Sequence, residues 1–301
     1  MIYGRQVELL LDCLPFVFSD KRVALKGGTA LNLFVHDMPR LSVDIDITYL
    51  PIEDRPVTFA NVHAILKQIK TDLERNIGCT VSASQKLDGK KEAKLLVARN
   101  GVDIKIEPNF TIRGAFFPVE QMALSARCTK TFGHEVDVPC LSRADLYGGK
   151  ICAALDRQHP RDLFDIKVFF ETGGFSHKVI EAFLFYLISH NRPFHELLNP
   201  NLKPLEGEFH TEFSGMTEDN VQLETLEEVR LHLIRTLRNE LTEQDRKFLL
   251  GIAKGTPDWG LYARPEVQNY PSVRWRIHNL DQMEVAKRLA QVHELEKILG
   301  S

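Results

Sequence analysis

No stretch of about 18 consecutive apolar residues occurs in the chain, so nothing in it reads as a membrane-spanning helix. The apolar stretch from Val7 to Phe18 is interrupted by Glu8, Asp12 and Pro15. It also lacks the basic flank and small-residue cleavage site of a signal peptide, and reads instead as an amphipathic helix. Basic residues are not in excess: Lys+Arg is 38 against Asp+Glu 41, a formal net charge of −3, which excludes a globally basic coat but not a local basic patch. Cysteines number five, at positions 13, 79, 128, 140 and 152, with no C-x-x-C. Neither a zinc site nor a disulfide framework is indicated; reduced thiols in a cytoplasmic protein are the expectation. Also missing are H-E-x-x-H, G-x-x-x-x-G-K-[ST], G-x-S-x-G and any protein-kinase signature. There is no internal repeat and no low-complexity tract. What remains is 301 residues, 44% of them hydrophobic and 26% charged, enough for a sizeable core.

The first half alternates between strand and helix signals. A helix is expected over residues 5–18, a short strand over 23–25, and a helix from Ala30 to Val35 opening directly after Gly27-Gly28-Thr29. Residues 43–50, VDIDITYL, alternate with period two: Val43, Ile45 and Ile47 on one face, Asp44, Asp46 and Thr48 on the other. A helix follows from Asn61 to Arg75, then strands over 94–99 and 102–107 joined by Asn100-Gly101, a strong hairpin signal. The second half reads as mainly helical. Ser142 caps a helix running through Lys150 to Arg157, Pro160 breaks it, and Arg161 to Phe170 forms the next. Ser176 caps a further helix, residues 199–220 read as a long loop, and helices are expected over 223–238 and 283–299. The expected division is an α/β part over residues 1–140 and a helical part over 141–301, which need not be independent domains.

The stretch from Lys26 to Leu50 carries the most chemistry. It places Gly27-Gly28-Thr29 at a strand-to-helix turn, then Arg40-x-Ser42, then Asp44-Ile45-Asp46 on a strand. Two carboxylates at i and i+2 project from one strand face and repel unless a cation joins them. Mg²⁺ suits them, because hard cations take carboxylate and phosphate oxygens. The glycine turn lets backbone N–H groups approach a triphosphate at a helix N-terminus. Taken singly, Gly-Gly is commonly just a turn and D-x-D just a solvated face. Their order and spacing together point to two-metal nucleotidyl transfer. Asp103 and Glu107 share a face of the following strand, and spacing does not choose between them as a third carboxylate. On the helix from Asp145, Lys150, Ala153, Ala154 and Arg157 fall on one side, and the small alanines leave Lys150 room to reach over a ligand.

These motifs resemble the AbiEii/AbiGii-type nucleotidyltransferase toxins of the DNA polymerase β-like superfamily. G-G-T-A-L followed by R-x-S-x-D-I-D is similar to the family's first motif, and Gly28-Thr29 stands where the superfamily has Gly-Ser. Residues 104–109, IKIEPN, resemble its second motif, and residues 145–166 its K-x-x-A-x-x-x-R-x-x-x-R-D-x-x-D signature. Residues 271–280, PSVRWRIHNL, resemble its ending, so the likeness touches most of the chain.

The resemblance implies a nucleotidyltransferase core with a mixed β-sheet, followed by a mainly helical C-terminal part. It implies an enzyme moving NMP from an NTP to an acceptor hydroxyl, with Asp44, Asp46 and Glu107 toward Mg²⁺. Gly27, Gly28, Thr29, Ser42 and Arg157 would lie at the nucleotide, and Lys150 and Asp165 in the active site. It further implies the toxin of a bacterial toxin–antitoxin (abortive infection) pair, with a tRNA 3′ end or other RNA as acceptor and a cognate antitoxin as partner. An AMPylating or small-molecule-modifying enzyme, or an idle member that only binds, would share the same motifs.

Asp162 and Arg161 are expected in a structural ion-pair network, and Trp259 and Trp275 as core or interdomain anchors rather than base-stacking platforms. Lys86, Lys90, Lys91, Lys94 and Arg99 read as a solvated basic edge, which would also suit a rim beside RNA.

Overall fold

The strands expected from alternation are all found in the computed structural model, which describes residues 2–84 and 94–300. Lys86, Lys90 and Lys91 of the basic edge lie outside the described residues. The chain divides into two compact units: Met1–Leu146 with Gly215–Glu218, and Tyr147–Ser214 with Asp219–Ser301.

The first unit is built on a mixed seven-stranded sheet in the order β3-β4-β5-β2-β1-β7-β6. Its strands are β1 (Val23–Lys26), β2 (Asp44–Tyr49), β3 (Thr80–Ser84), β4 (Lys94–Arg99), β5 (Val102–Asn109), β6 (Glu120–Ala123) and β7 (Asp137–Cys140). β2 runs antiparallel to β1 and parallel to β5, while β1 is parallel to β7. β4 and β5 form the expected hairpin, with Asn100 and Gly101 both at positive φ (52° and 75°), as its tight turn demands.

The helices of this unit begin with α1 (Ile2–Val17), which packs on β5 and on α3 (Arg55–Asn76). α1 buries Val7, Leu10, Cys13, Leu14 and Val17, the apolar stripe legible in the sequence. α2 comprises Gly27–Thr29 and the π-helical turn Ala30–Val35 that continues it. α4 (Ala126–Phe132) is capped by Ser125, whose hydroxyl accepts from the Cys128 N–H. β3, β6, β7 and α4 carried no clear sequence signal, because short strands and a two-turn helix leave little periodicity to read.

All five cysteines are unpaired and buried. Burial pushes the Cys128 and Cys140 thiols up to about 12, so neither offers a thiolate at neutral pH.

α1 is tied to the sheet by a charged latch. His134 Nε2 lies 2.9 Å from Asp12 Oδ1, and its Nδ1 lies 2.8 Å from the Phe132 carbonyl oxygen. Arg99 pairs with the other oxygen of Asp12. Both ring nitrogens face acceptors, so both must carry protons for both bonds to form. Burial alone would lower the His134 pKa, but the bonds to Asp12 and to the Phe132 carbonyl, with the charges of Asp12 and Glu8, raise it above the usual value. Burial acts to raise Asp12, and His134 and Arg99 outweigh it and hold its carboxyl low.

The linkage is therefore two-sided. The His134 contribution is complete below about pH 6.5 and disappears as pH rises through the raised folded value. The Asp12 contribution is complete above about pH 4 and disappears as pH falls through the lowered one. His134→Gln is expected to remove an alkaline loss of stability on the order of 1 kcal/mol from the thermal-melt profile. An imidazole titration by NMR at or below the free-histidine value would contradict the latch.

The second unit is helical: α5 (Arg143–Arg157, from Tyr147 onward), α6 (Pro160–Glu171), α7 (His177–Ile188), α8 (Phe194–Leu198) and the short turn α9 (Glu206–Glu208). α10 (Leu223–Glu240), α11 (Glu243–Lys254), α12 (Pro271–Asp281) and α13 (Val285–Leu299) follow. α6 opens with Pro160, whose missing N–H is harmless in a first turn, and Ser176 caps α7 by accepting from the Val179 N–H. A Cβ on Gly148 would lie 2.7 Å from the Ala182 carbonyl carbon, so a glycine in mid-helix is what allows α5 and α7 to touch backbone to backbone. No helix among the described residues is long and apolar enough to cross a membrane.

Candidate active site

In the first unit the expected phosphate turn and carboxylate pair meet. β1 and β2 are antiparallel with Lys26 opposite Asp46, so the turn that follows β1 lies beside the D-x-D strand. Gly27 has φ +74°, and a Cβ there would lie 2.2 Å from Asp46 Oδ2. The Asp46 carboxylate thus occupies space that any other residue at position 27 would fill. Gly28 does the same for a neighbouring pair, since a Cβ there would lie 2.9 Å from Arg40 Nη2 and 3.2 Å from Ser42 Oγ.

Ile45 and Ile47 are buried while Asp44 and Asp46 are half-exposed, as the alternation requires. Hard oxygen donors, two carboxylates on one strand face and a glycine turn that leaves them room make a donor set suited to a divalent cation. Among the described residues no group of three or more His, Cys, Asp or Glu side chains is arranged to hold a metal, so a cation here would rely on the pair and on its ligand's oxygens.

Thr29 and Ser42 differ from expectation in their surroundings. Thr29 is fully buried; its hydroxyl donates to the Asp44 carbonyl oxygen and lies 2.9 Å from Ser42 Oγ. The two hydroxyls fasten α2 to the start of β2. Arg40, to which sequence reasoning gave no role, is buried beside Gly28, and its Nη1 donates to the Leu41 carbonyl at 2.9 Å. The loop that carries it is held from far along the chain. Leu41 N–H donates to the Met216 carbonyl (2.7 Å), and the Thr217 hydroxyl to the Pro39 carbonyl (2.9 Å).

The register distinguishes the two candidate third carboxylates. In the parallel β2–β5 pair Asp44 stands beside Lys105 and Asp46 beside Glu107, whereas Asp103 lies before the first paired position. Glu107 is half-exposed and pairs with Lys94 at 3.1 Å.

In the second unit Lys150, Asp165 and Arg157 meet around a residue expected to be merely structural. Lys150 Nζ lies 2.9 Å from Asp162 Oδ1 and 2.8 Å from Asp165 Oδ2, with all three side chains buried. Arg157 also bonds Asp162, yet its side chain is 60% exposed. Lys150 therefore does not reach out over the alanine face; it turns back to α6, because a buried ammonium needs paired oxygens. Burial acts to raise the Asp162 carboxyl, but the charges of Lys150 and Arg157 outweigh it and hold it well below the usual carboxylate range. Arg161 is outside this cluster and pairs with Glu212 at 3.1 Å. The i, i+3 spacing of Asp162 and Asp165 was the available sign that both face α5.

The corner between α5 and α6 is made by Gln158, at φ 54°. Its amide donates to the Asn201 carbonyl and accepts from Lys203 N–H and Arg230 Nη1, which fixes this strained backbone. Trp259 is half-buried with its ring edge-on to Phe248 at 5.5 Å, as an anchor should be. Trp275 departs from that expectation: it is 54% exposed, because the buried stripe of α12 passes through its neighbours.

Comparison with known proteins bears on this arrangement. The family model described as "Nucleotidyl transferase AbiEii toxin, Type IV TA system" matches residues 8–279. Among solved structures the chain is similar to MenT4, a nucleotidyltransferase toxin from Mycobacterium tuberculosis H37Rv. The TM-score is 0.62 at 17% identity, covering 91% of each chain, a likeness of fold. No curated protein gave a significant match.

Proposed function

The chain belongs to the AbiEii nucleotidyltransferase toxin family, and from that premise we propose that it moves NMP from an NTP to the 3′-hydroxyl of an RNA, foremost tRNA, with magnesium. Membership makes it a nucleotidyltransferase toxin of a type IV toxin–antitoxin system, with an NTP as substrate and an antitoxin as counterpart. The observation that carries the reading is Asp44 and Asp46 on one face of β2, with Asp46 set against the missing side chain of Gly27.

In the proposed reaction the acceptor hydroxyl oxygen bonds to the α-phosphorus and gives up its proton. The bond from that phosphorus to the β-phosphate's bridging oxygen breaks, and pyrophosphate leaves. Asp44 and Asp46 would hold Mg²⁺, which when bound would supply charge to the phosphates and acidify the attacking hydroxyl; Glu107, beside Asp46 in register and paired with Lys94, is the candidate third carboxylate. Gly27 and Gly28 offer backbone N–H groups to phosphate oxygens where α2 begins. Thr29 and Ser42 act by fastening the turn to β2. Family membership also points to Lys150, Arg157 and Asp165 as active-site residues: Asp162 and Asp165 seat the Lys150 ammonium, and Arg157, whose side chain is largely exposed, would present charge to a phosphate.

The test is incubation of the purified protein with each α-labelled NTP and magnesium, in the presence of total RNA, tRNA or total protein. Label is expected in tRNA and abolished by EDTA. Label in protein or a small molecule, with none in RNA for any of the four NTPs, would refute the RNA acceptor.

A further inference from the structure

The residues that α12 buries are Ser272, Val273, Arg276 and Leu280, a single helical stripe. That stripe is firmly seated. Ser272 Oγ lies 3.0 Å from Ser189 Oγ, Arg276 Nη1 donates to the Asn191 carbonyl at 2.8 Å, and the Arg276 guanidinium lies 4.9 Å from the centre of the Phe194 ring. The opposite face therefore has a fixed orientation, and it carries Arg274, Trp275 and His278, all exposed.

The exposed large apolar side chains among the described residues are otherwise aliphatic: Ile52, Val57, Leu96, Leu202, Leu231, Val285 and Leu289. Trp275 is the aromatic member of that group. The His278 ring stacks beside it, with centroids 5.7 Å apart and planes 29° apart. The i, i+3 spacing on a rigid helix holds the two rings as a pair. The exposed flank carries the Arg274 guanidinium and the His278 ring, against one acid, Asp281, at the helix end.

An oriented aromatic plane with an exposed arginine beside it suits a nucleobase, whose π-face stacks while the adjoining phosphate meets the guanidinium. A protein partner would need a broad apolar patch, and the outer-face neighbours of Trp275 on α12 are instead Arg274 and His278.

We infer that the outer face of α12 is a docking surface for single-stranded RNA, with a base stacked on Trp275 and the backbone beside Arg274 and His278. This rests on the RNA-acceptor reading above, and it adds where on the chain a strand is gripped.

The experiment uses the full chain and direct binding, with turnover measured separately. A fluorescein-labelled single-stranded RNA oligonucleotide and a tRNA are titrated against wild type, Trp275→Ala and Trp275→Phe at several salt concentrations. Trp275→Ala is expected to weaken binding about tenfold or more with an unchanged melting temperature, and Trp275→Phe to stay close to wild type because a phenyl ring still stacks. In a Trp259→Phe background, RNA should quench the remaining indole emission.

The docking surface is refuted if the folded Trp275→Ala chain binds RNA as wild type does, or if the indole is not quenched. It is equally refuted if the substitution abolishes capture of a protein while leaving RNA affinity intact. Failure of the acceptor reading looks different: wild type then binds RNA with Trp275-dependent affinity but labels none.

Discussion

Asp46→Ala should abolish nucleotidyl transfer, with a loss of about a thousandfold or more, while the protein stays folded. Asp44→Ala should behave alike. The size of the effect follows from removing charge that the reaction needs at the phosphates, where single preorganised groups count for a hundred- to a thousandfold. The fold should survive because both carboxylates are half-exposed, and the packing of β2 is carried by Ile45 and Ile47, which are buried. Asp46→Asn keeps the shape and loses the charge, so it should be as inactive as the alanine variant.

Gly27→Ala provides a geometric companion. Its Cβ would lie 2.2 Å from Asp46 Oδ2 at φ +74°, so it must displace the carboxylate or the turn. It should cost about 1–2 kcal/mol of stability as well as most of the activity. Rates measured under single-turnover conditions beside a thermal melt separate the two effects. A well-folded Asp46→Ala enzyme with normal turnover would remove the basis of the metal assignment.

Lys150→Ala is expected to destabilise the second unit by about 3–5 kcal/mol, the range for breaking one member of a buried ion cluster. Lys150 and Arg157 balance Asp162 and Asp165; removing Lys150 leaves two buried carboxylates facing one arginine that is 60% exposed. The Lys150→Met, Asp162→Asn double variant should recover more than about 1 kcal/mol relative to the sum of the single changes, because the groups are in direct contact.

The acid limb of stability tests the same cluster. The folded Asp162 carboxyl is held low, so its contribution is complete above about pH 4 and disappears as pH falls through the lowered value. Asp162→Asn should shift the acid-unfolding midpoint. Among variants that remain folded, Lys150→Arg should retain little turnover, since a planar guanidinium does not fit a seat formed by two carboxylates around one ammonium. Denaturant curves of Lys150→Ala coinciding with wild type would show that the cluster contributes nothing to the second unit.

Some of this was legible in the residues alone because it is local. Period two fixed the β2 face that carries Asp44 and Asp46. The Asn100-Gly101 dipeptide, whose residues tolerate positive φ, marked the hairpin, Ser176 marked a helix start and Pro160 the break between two helices, each through bonds or sterics within a few residues. The family signature was readable for the same reason, as short runs of fixed spacing.

Other features needed the folded chain because they join distant residues. Gly27 is constrained by a carboxylate 19 positions on, and Arg40 is held by a loop tied to Met216 and Thr217. The β2–β5 register, which no spacing encodes, put Glu107 rather than Asp103 beside Asp46. Burial of α6 against α5 moved Asp162 to the centre of its cluster and turned Lys150 inward. The side of α12 that packs left Trp275 in solvent. Sequence by itself determined which groups this protein carries and on which strand or helix. Tertiary structure decided which of them meet, because strand register and helix facing are settled by contacts between segments far apart in the chain.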